Sequence, residues 1–176
     1  MNTIYFQISK ENKDARNLVE TISEMLRYQL YECNVDKIAV EKEINYLKNY
    51  VSIRLLKSNN NGNIKLVFDP AVQGFEIAPL LLQPLVENAI KYADQRTENK
   101  DNSMQILMEL SGPAQLTTTI SNHNEVLAND LESYVTEDEE LSSFRRRIEM
   151  LYPDKYSFTY SKDKYLYHSK LTINYG

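Results

Sequence analysis

The stretch QPLVENAIKYA, residues 83–93, constrains the fold most, because it predicts an amphipathic helix with one polar pair on an otherwise apolar segment. Its apolar side chains recur at the three- and four-residue steps of a buried helix face: Leu81, Leu82, Leu85, Val86, Ala89, Ile90 and Tyr92. Pro79 and Pro84 lie near its start, where a missing N–H does little harm. We expect the polar pair, Glu87 and Asn88, to face a cavity, a ligand or a partner. The alternative is a core helix whose polar pair caps a neighbouring loop.

Length, charge and cysteine content narrow the function classes. The 176 residues are enough for one medium domain with an appended helical region. The net charge of −5 argues against nucleic acid as the main partner, because phosphate binding needs a basic face. The single cysteine, Cys33, allows no internal disulfide, which is typical of a reducing compartment. No apolar run reaches transmembrane length, so we expect this stretch of chain to be soluble and intracellular.

The N-terminal third predicts two helices. Residues 1–33 carry a wide apolar stripe at helical spacing: Leu18, Ile22, Met25, Leu26 and Leu30, broadened by Tyr28 and Tyr31. The stripe predicts a dimer seam with a second copy of the chain, and ordinary packing within one chain is the alternative. A second helix is predicted over Val40–Lys57.

The rest of the chain alternates between strand and helix patterns. Period-two alternation predicts half-buried strands at residues 64–69, 104–110, 116–122, 156–161 and 165–174. Helices are predicted at about residues 78–94 and at 141–152, the second ended by Pro153. These elements predict an α+β fold, a two-layer sandwich of about five strands with two long helices on one face.

Three stretches carry a resemblance to a known family. LLLQPLVENAIKY, residues 80–92, resembles the N-box of the LytS/YehU-type sensor histidine kinases, a branch of the GHKL ATPase superfamily that includes gyrase and the Hsp90 chaperones. Residues 24–57 resemble the family's segment between its phosphoacceptor helix and its ATP-binding domain, and RRRIEMLYPDKY at residues 145–156 resembles its C-terminal helix. The resemblance implies a helical dimerisation and connector region at residues 1–57 and a histidine-kinase-like ATPase domain at residues 58–176.

The resemblance also implies a Mg–ATP site. Asn88 matches the family's magnesium-binding asparagine, with Glu87 beside it and Tyr92 in the same motif. Lys91, one turn on, is placed to reach a phosphate, with a solvated lysine as the alternative. Asn122 stands where the family's D-N-G box has an aspartate that binds the adenine amino group; a strand-end cap is the alternative.

The phosphate-binding glycines are missing. Where the family carries G-x-G-L, this chain has Asp138, Glu139, Glu140 and Leu141. A like charge within about 4 Å of a phosphate costs on the order of 1–4 kcal/mol, and each side chain blocks the backbone approach. We therefore predict weak or absent ATP affinity. Arg145, Arg146 and Arg147 follow directly, and we expect them to pair with the acidic residues or to solvate the helix surface.

The family's phosphoacceptor motif, roughly H-F-x-F-N-x-L-N-x-I, is matched only at its tail by the opening M-N-T-I. The two histidines, His123 and His168, lie elsewhere, so no catalytic residue is assigned in this chain. Either the chain begins just downstream of the motif or the protein never carried one, and the sequence leaves both open.

By resemblance, the chain is the cytoplasmic catalytic region of an inner-membrane two-component kinase. It would act as a homodimer, use Mg–ATP, transfer the γ-phosphate to a histidine and pass it to a response regulator. The alternative is a degenerate, non-catalytic module that acts by dimerisation and protein interaction.

Overall fold

The computed structural model describes residues 2–9, 11–57, 63–94, 104–122, 139–162 and 167–176. The helices are α1 (Asn2–Gln7), α2 (Lys13–Arg27), α3 (Val40–Lys57), α4 (Gln83–Asp94) and α5 (Glu139–Leu151). The strands are β1 (Ile38–Ala39), β2 (Ile64–Phe68), β3 (Glu76–Ile77), β4 (Met104–Gly112), β5 (Gln115–Ser121), β6 (Tyr156–Lys162) and β7 (Tyr167–Asn174). A π-helical turn, Tyr28–Glu32, continues α2, and Pro70–Val72 form a 3-10 turn.

The main sheet has five strands in the order β2-β4-β5-β7-β6. The strands β2 and β4 are parallel, so the chain between them must cross over the sheet, and α4 lies in this crossover. The other neighbours are antiparallel, and β4 and β5 form the predicted hairpin. The short strands β1 and β3 pair separately. The predicted α+β sandwich with a five-stranded sheet is confirmed.

The core lies between one face of this sheet and the helices. Alternate side chains at the start of β4 are buried, as the strand periodicity predicts. In β5 the predicted inward residues Leu116, Thr118 and Ile120 are buried, and Thr117 between them is buried as well. The apolar side chains among them pack with the apolar faces of α4 and α5 in one cluster, whose members include Ile106, Met108, Ile120, Leu85, Val86, Phe144 and Ile148. The apolar face predicted for α4 is therefore the face that holds the helix against the sheet.

The start of α4 differs from the prediction. The helix begins at Gln83, and residues 78–82 form a turn in which Leu80 has a φ of 54°. A leucine in this left-handed region is unfavourable, so other contacts must hold the turn. Pro79 disfavours helical geometry at Ala78, and the turn's peptide groups bond to distant side chains instead of to a helix.

Residues 1–33, for which the sequence predicted one helix, contain the two helices α1 and α2. Asn12 ends the break between α1 and α2 and caps α2, its Oδ1 accepting from the Ala15 N–H at 3.2 Å. None of the α2 residues is buried. Within the described ranges, no helix combines the length and the apolar character needed to span a bilayer.

Candidate functional site

Asn88 is a buried amide on α4. It is 7% exposed, and its Nδ2 has no hydrogen-bond partner among the described residues. Its neighbours Ala89 and Ile90 are buried and apolar. Because burying an unpaired amide donor costs free energy, this arrangement is typical of a side chain that serves a ligand.

Glu87, the other residue of the polar pair, forms hydrogen bonds between α4 and α3 and within α4. Its Oε1 accepts from the Tyr50 hydroxyl of α3 at 3.0 Å and from Gln83 Nε2 at 2.9 Å. Burial, with the adjacent Glu87 carboxylate, raises the pKa of Tyr50, so this hydroxyl stays protonated and donates. The two members of the predicted pair therefore differ: Glu87 ties α4 to α3, while the Nδ2 of Asn88 has no partner among the described residues.

Asn122 lies just beyond β5 and is tied to the first residue of β7. Its backbone N–H donates to the Tyr167 carbonyl at 3.2 Å, and its Oδ1 accepts from the Tyr167 N–H at 2.7 Å. Asn122 is 5% exposed, and its Nδ2 has no partner in the described part of the chain. The fully buried Tyr167 also donates its hydroxyl to the Leu85 carbonyl at 3.3 Å, one turn before Asn88. Tyr167 thus links the end of β5 to α4.

The remaining predicted site residues are only partly described. Lys91 is exposed on the last turn of α4. The side chain of Tyr92, together with His123 and Asp138, lies outside the described residues. Glu139 and Glu140 are the first two residues of α5, and Leu141 is buried behind them. The predicted acidic segment therefore stands at a helix start.

Glu43 of α3 is a buried carboxylate that the sequence interpretation did not single out. It is 0% exposed and accepts from the Tyr28 hydroxyl, from the Leu80 N–H at 3.0 Å and from the Leu82 N–H at 3.2 Å. A signal was available, since Glu43 falls three residues after Val40 and four before Leu47, on the apolar stripe of its helix.

Arg147 was predicted to be a surface residue, and that prediction is wrong. It is half-buried, and its guanidinium donates to the Leu80 carbonyl at 2.9 Å and to the Pro79 carbonyl at 2.7 Å. Arg146 is exposed, as predicted, and the exposed Arg145 lies over the Phe158 ring at 5.2 Å. A planar guanidinium can bond two carbonyls at once, which is why Arg147 can hold a turn.

The arrangement fits one part of a magnesium–nucleotide site and not another. Asn88 can offer a neutral oxygen, the kind of ligand that Mg²⁺ accepts alongside phosphate oxygens and water. No group of three or more His, Cys, Asp or Glu side chains suitable for a metal occurs among the described residues, so the nucleotide would have to supply further ligands. By the resemblance, Asp138 and Glu140 stand where the family has the glycines that let backbone N–H groups approach a phosphate.

Comparison with known proteins agrees with this geometry. A family model described as histidine kinase matches residues 1–61. The sensor protein kinase HptS of Staphylococcus aureus strain USA300 is 31% identical over 108 residues, which are 61% of this chain and 20% of HptS. The chain spans about a fifth of the length of the curated relatives it matches.

Two solved structures show the same fold. The histidine kinase domain of the Erythrobacter litoralis EL346 blue-light activated kinase aligns with a TM-score of 0.54 and 14% identity, over 93% of this chain and 80% of that one. Histidine kinase ThkA, solved in complex with the response regulator protein TrrA, aligns with a TM-score of 0.53 and 14% identity, over 93% of this chain and 49% of that one. The fold is therefore that of histidine kinase ATPase domains. In sequence, the chain is similar to histidine kinases over residues 1–61 and over the 108 residues aligned with HptS.

Proposed function

We propose that this chain is the dimerisation and ATP-binding region of a two-component sensor histidine kinase. In this proposal α2 pairs with its copy, and the α+β domain binds Mg–ATP beside α4. The γ-phosphate then passes to a histidine of the kinase and from there to an aspartate of a response regulator. The whole protein would be an inner-membrane sensor with this region in the cytoplasm.

The buried amide of Asn88 carries the nucleotide part of the proposal. It sits in a motif that resembles the family's N-box. Its Nδ2 has no partner among the described residues and could donate to a phosphate oxygen, while its Oδ1 is the atom that could bind magnesium. A bound magnesium ion would supply charge neutralisation at the phosphates. Asn88 would hold it, Lys91 and Tyr92 would lie on the same helix end, and Asn122 would face the base. Glu87 would not contact the nucleotide itself. It would support the site by fixing α4 against Tyr50 of α3.

The partner proposals have separate support. ThkA, which shares the fold, was solved bound to a response regulator, and we propose a partner of that class here. The homodimer is supported by α2 and the turn after it, where Leu26, Leu30 and Tyr31 are 40%, 61% and 77% exposed. Large apolar side chains clustered on one helix commonly mark an interaction surface.

A second candidate function is a non-catalytic module of the same fold that acts through dimerisation and protein contacts. The acidic start of α5 favours it, because Glu139 and Glu140 add negative charge where a triphosphate would bring more. The positive end of the α5 dipole would normally favour the binding of an anion at the helix start. Two carboxylates at the same place oppose that binding.

Calorimetric titration with Mg–ATP and Mg–ADP separates the two functions. The variants are Asp138→Gly/Glu140→Gly, which removes charge and side chains, and the matched pair Asp138→Asn/Glu140→Gln, which removes charge alone. Micromolar binding by the unmodified chain, little changed in either variant, supports the kinase. Binding that appears only in the glycine variant supports the non-catalytic module and assigns the defect to the blocked backbone approach. No binding in any variant would overturn the proposed nucleotide site.

A further inference from the structure

The end of the N-terminal helix is connected to α4 through a buried carboxylate. The Tyr28 hydroxyl, on the π-helical turn that continues α2, donates to Glu43 Oε2. The same carboxylate accepts from the backbone N–H groups of Leu80 and Leu82, which precede α4. Glu43 therefore joins the end of the N-terminal helix to the turn that precedes α4.

A second connection runs beside the first. Gln29, next on the π-helical turn, donates its Nε2 to the Tyr46 hydroxyl at 2.7 Å. Tyr46 donates to Gln83 Oε1 at 2.9 Å, and Gln83 donates in turn to Glu87 Oε1. This relay ends on the residue adjacent to Asn88. The rings of Tyr28 and Tyr46 stack with centroids 4.9 Å apart, so the two connections are packed against each other.

The turn between β3 and α4 depends on these contacts. Leu80 is held at a φ of 54°, which a leucine rarely adopts. Glu43 binds the N–H groups of the turn, while Arg147 of α5 binds its carbonyls. A strained backbone conformation persists only where surrounding contacts hold it in place. Here the Glu43 carboxylate and the Arg147 guanidinium provide those contacts. The turn sets where α4 begins, and so where Asn88 lies.

We propose that Glu43 is a positioning residue for the site on α4, and that its hold on the Leu80–Leu82 turn depends on where the N-terminal helix places Tyr28 and Gln29. The π-helical turn fits this role, since such irregular turns occur frequently at functional positions. A shift or rotation of α2 would withdraw the Tyr28 hydroxyl from a buried carboxylate and leave it with the Leu80 and Leu82 N–H groups as its described hydrogen-bond donors. The inference rests on the proposed function only for the identity of the ligand that binds beside α4. The positioning of the turn can be tested without that ligand.

The test measures amide hydrogen exchange at Leu80, Leu82 and along α4 in the full chain, together with Mg–ADP affinity. Tyr28→Phe removes one oxygen atom and keeps the ring. Tyr156→Phe is the matched control, because the Tyr156 hydroxyl also donates to a glutamate, Glu149, at 2.7 Å, but on β6 and at the surface. We expect Tyr28→Phe to speed exchange at Leu80 and Leu82 by about tenfold, and Tyr156→Phe to leave both amides unchanged.

Two further measurements separate positioning from general destabilisation. If Tyr28 acts through Glu43, the double variant Tyr28→Phe/Glu43→Gln should exchange no faster at Leu82 than Glu43→Gln alone. If the coupling is real it is reciprocal, so Mg–ADP should slow exchange at residues 28–33 in the unmodified chain and not in Tyr28→Phe. Global unfolding would instead speed exchange throughout the sheet.

The outcomes are distinct. Exchange at Leu80 and Leu82 that stays within about twofold of the unmodified chain in Tyr28→Phe overturns the proposal. Additive effects of Tyr28→Phe and Glu43→Gln overturn it as well. Faster exchange at the turn in a chain that binds no nucleotide supports the positioning role of Glu43 and counts against the proposed nucleotide function alone.

Discussion

The backbone N–H of Tyr167 donates to Asn122 Oδ1 at 2.7 Å, and this bond orients the Asn122 amide. A backbone N–H can only donate, so Oδ1 must face Tyr167, and Nδ2, a donor, faces the other way. Nδ2 is buried and has no partner among the described residues. Where the resemblance places an acceptor for the adenine amino group, the side chain therefore presents a donor. Two donors repel, whereas the same Nδ2 could bond the keto oxygen of guanine.

Replacing Asn122 with aspartate should strengthen the binding of adenine nucleotides. In Asn122→Asp, one oxygen keeps the bond to Tyr167 and the other becomes an acceptor where Nδ2 was. A hydrogen bond to a charged group contributes about 1.5–3 kcal/mol, so we expect Mg–ADP affinity to rise by roughly tenfold or more, measured by calorimetry.

Mg–GDP provides the control for this change. The unmodified chain should bind Mg–GDP at least as well as Mg–ADP, and Asn122→Asp should reverse that preference. Equal effects of the substitution on both nucleotides would show that Asn122 does not contact the base.

Asn88→Ala should separate ligand binding from stability. Because Asn88 Nδ2 has no described partner, its removal deletes a buried unpaired donor, and the free energy of unfolding should change by no more than about 1 kcal/mol. Mg-dependent nucleotide binding should be lost. Urea denaturation and calorimetry with and without Mg²⁺ measure the two effects. A large loss of stability with unchanged binding would show that Asn88 is a structural residue.

Arg147→Met should weaken the turn before α4, whereas Arg146→Met should not. Arg147 is half-buried and donates to two carbonyls, while Arg146, its neighbour on the same helix, is exposed. We expect Arg147→Met to lower the free energy of unfolding by about 1–3 kcal/mol, because two partly buried carbonyls lose their donors. Arg146→Met should stay within about 0.5 kcal/mol of the unmodified chain. Equal effects would mean that the turn does not depend on the guanidinium.

Charges placed on the apolar surface of the N-terminal helix should dissociate the proposed homodimer. In Leu26→Glu/Leu30→Glu, two exposed leucines become carboxylates that would face their copies across the seam. Sedimentation velocity should then show a monomer. Leu56→Glu is the control, since Leu56 is 68% exposed on α3, outside the predicted stripe. A monomer before any substitution would contradict the homodimer.

Local patterns account for most of the fold. The helix α3 has the predicted bounds, Val40–Lys57, because its apolar spacing is contained in its own sequence. The strand alternation correctly separated the buried from the open face of β4. The turn at residues 78–82 was missed, because Leu81 and Leu82 continue the helical spacing of α4 and mask it.

Long-range contacts explain what local patterns could not give. The turn is held by Glu43, which lies 37 residues from Leu80 along the chain, and by Arg147, 67 residues away. The orientation of Asn122 depends on Tyr167, 45 residues away. Residue type and spacing identified Asn122 as a candidate, but only the paired strands show which atom of its amide is already bonded.

Glu43→Gln tests the charge state of the carboxylate that holds the turn. Burial raises the pKa of Glu43, opposed by hydrogen bonds from Tyr28, Leu80 and Leu82 and by the nearby Arg147 guanidinium. A carboxylate whose folded pKa is raised binds its proton more tightly in the folded chain than in the unfolded one. Its contribution to stability is therefore complete below its ordinary pKa of 4.5 and is lost as pH rises through the folded value.

Glutamine does not titrate, so the stability of the unmodified chain relative to Glu43→Gln should fall with increasing pH above about 4.5, by at most about 1.4 kcal/mol per pH unit, and then level off. Urea denaturation of both proteins across this range measures the difference, and Glu20→Gln, at an exposed position of α2, is the control. A difference that grows with pH would mean that the three donors and Arg147 outweigh burial, and that Glu43 holds the turn as a fully charged carboxylate. A difference that falls, as we expect, means that burial outweighs the three donors and Arg147, so that the folded chain loses stability as the Glu43 carboxyl ionises.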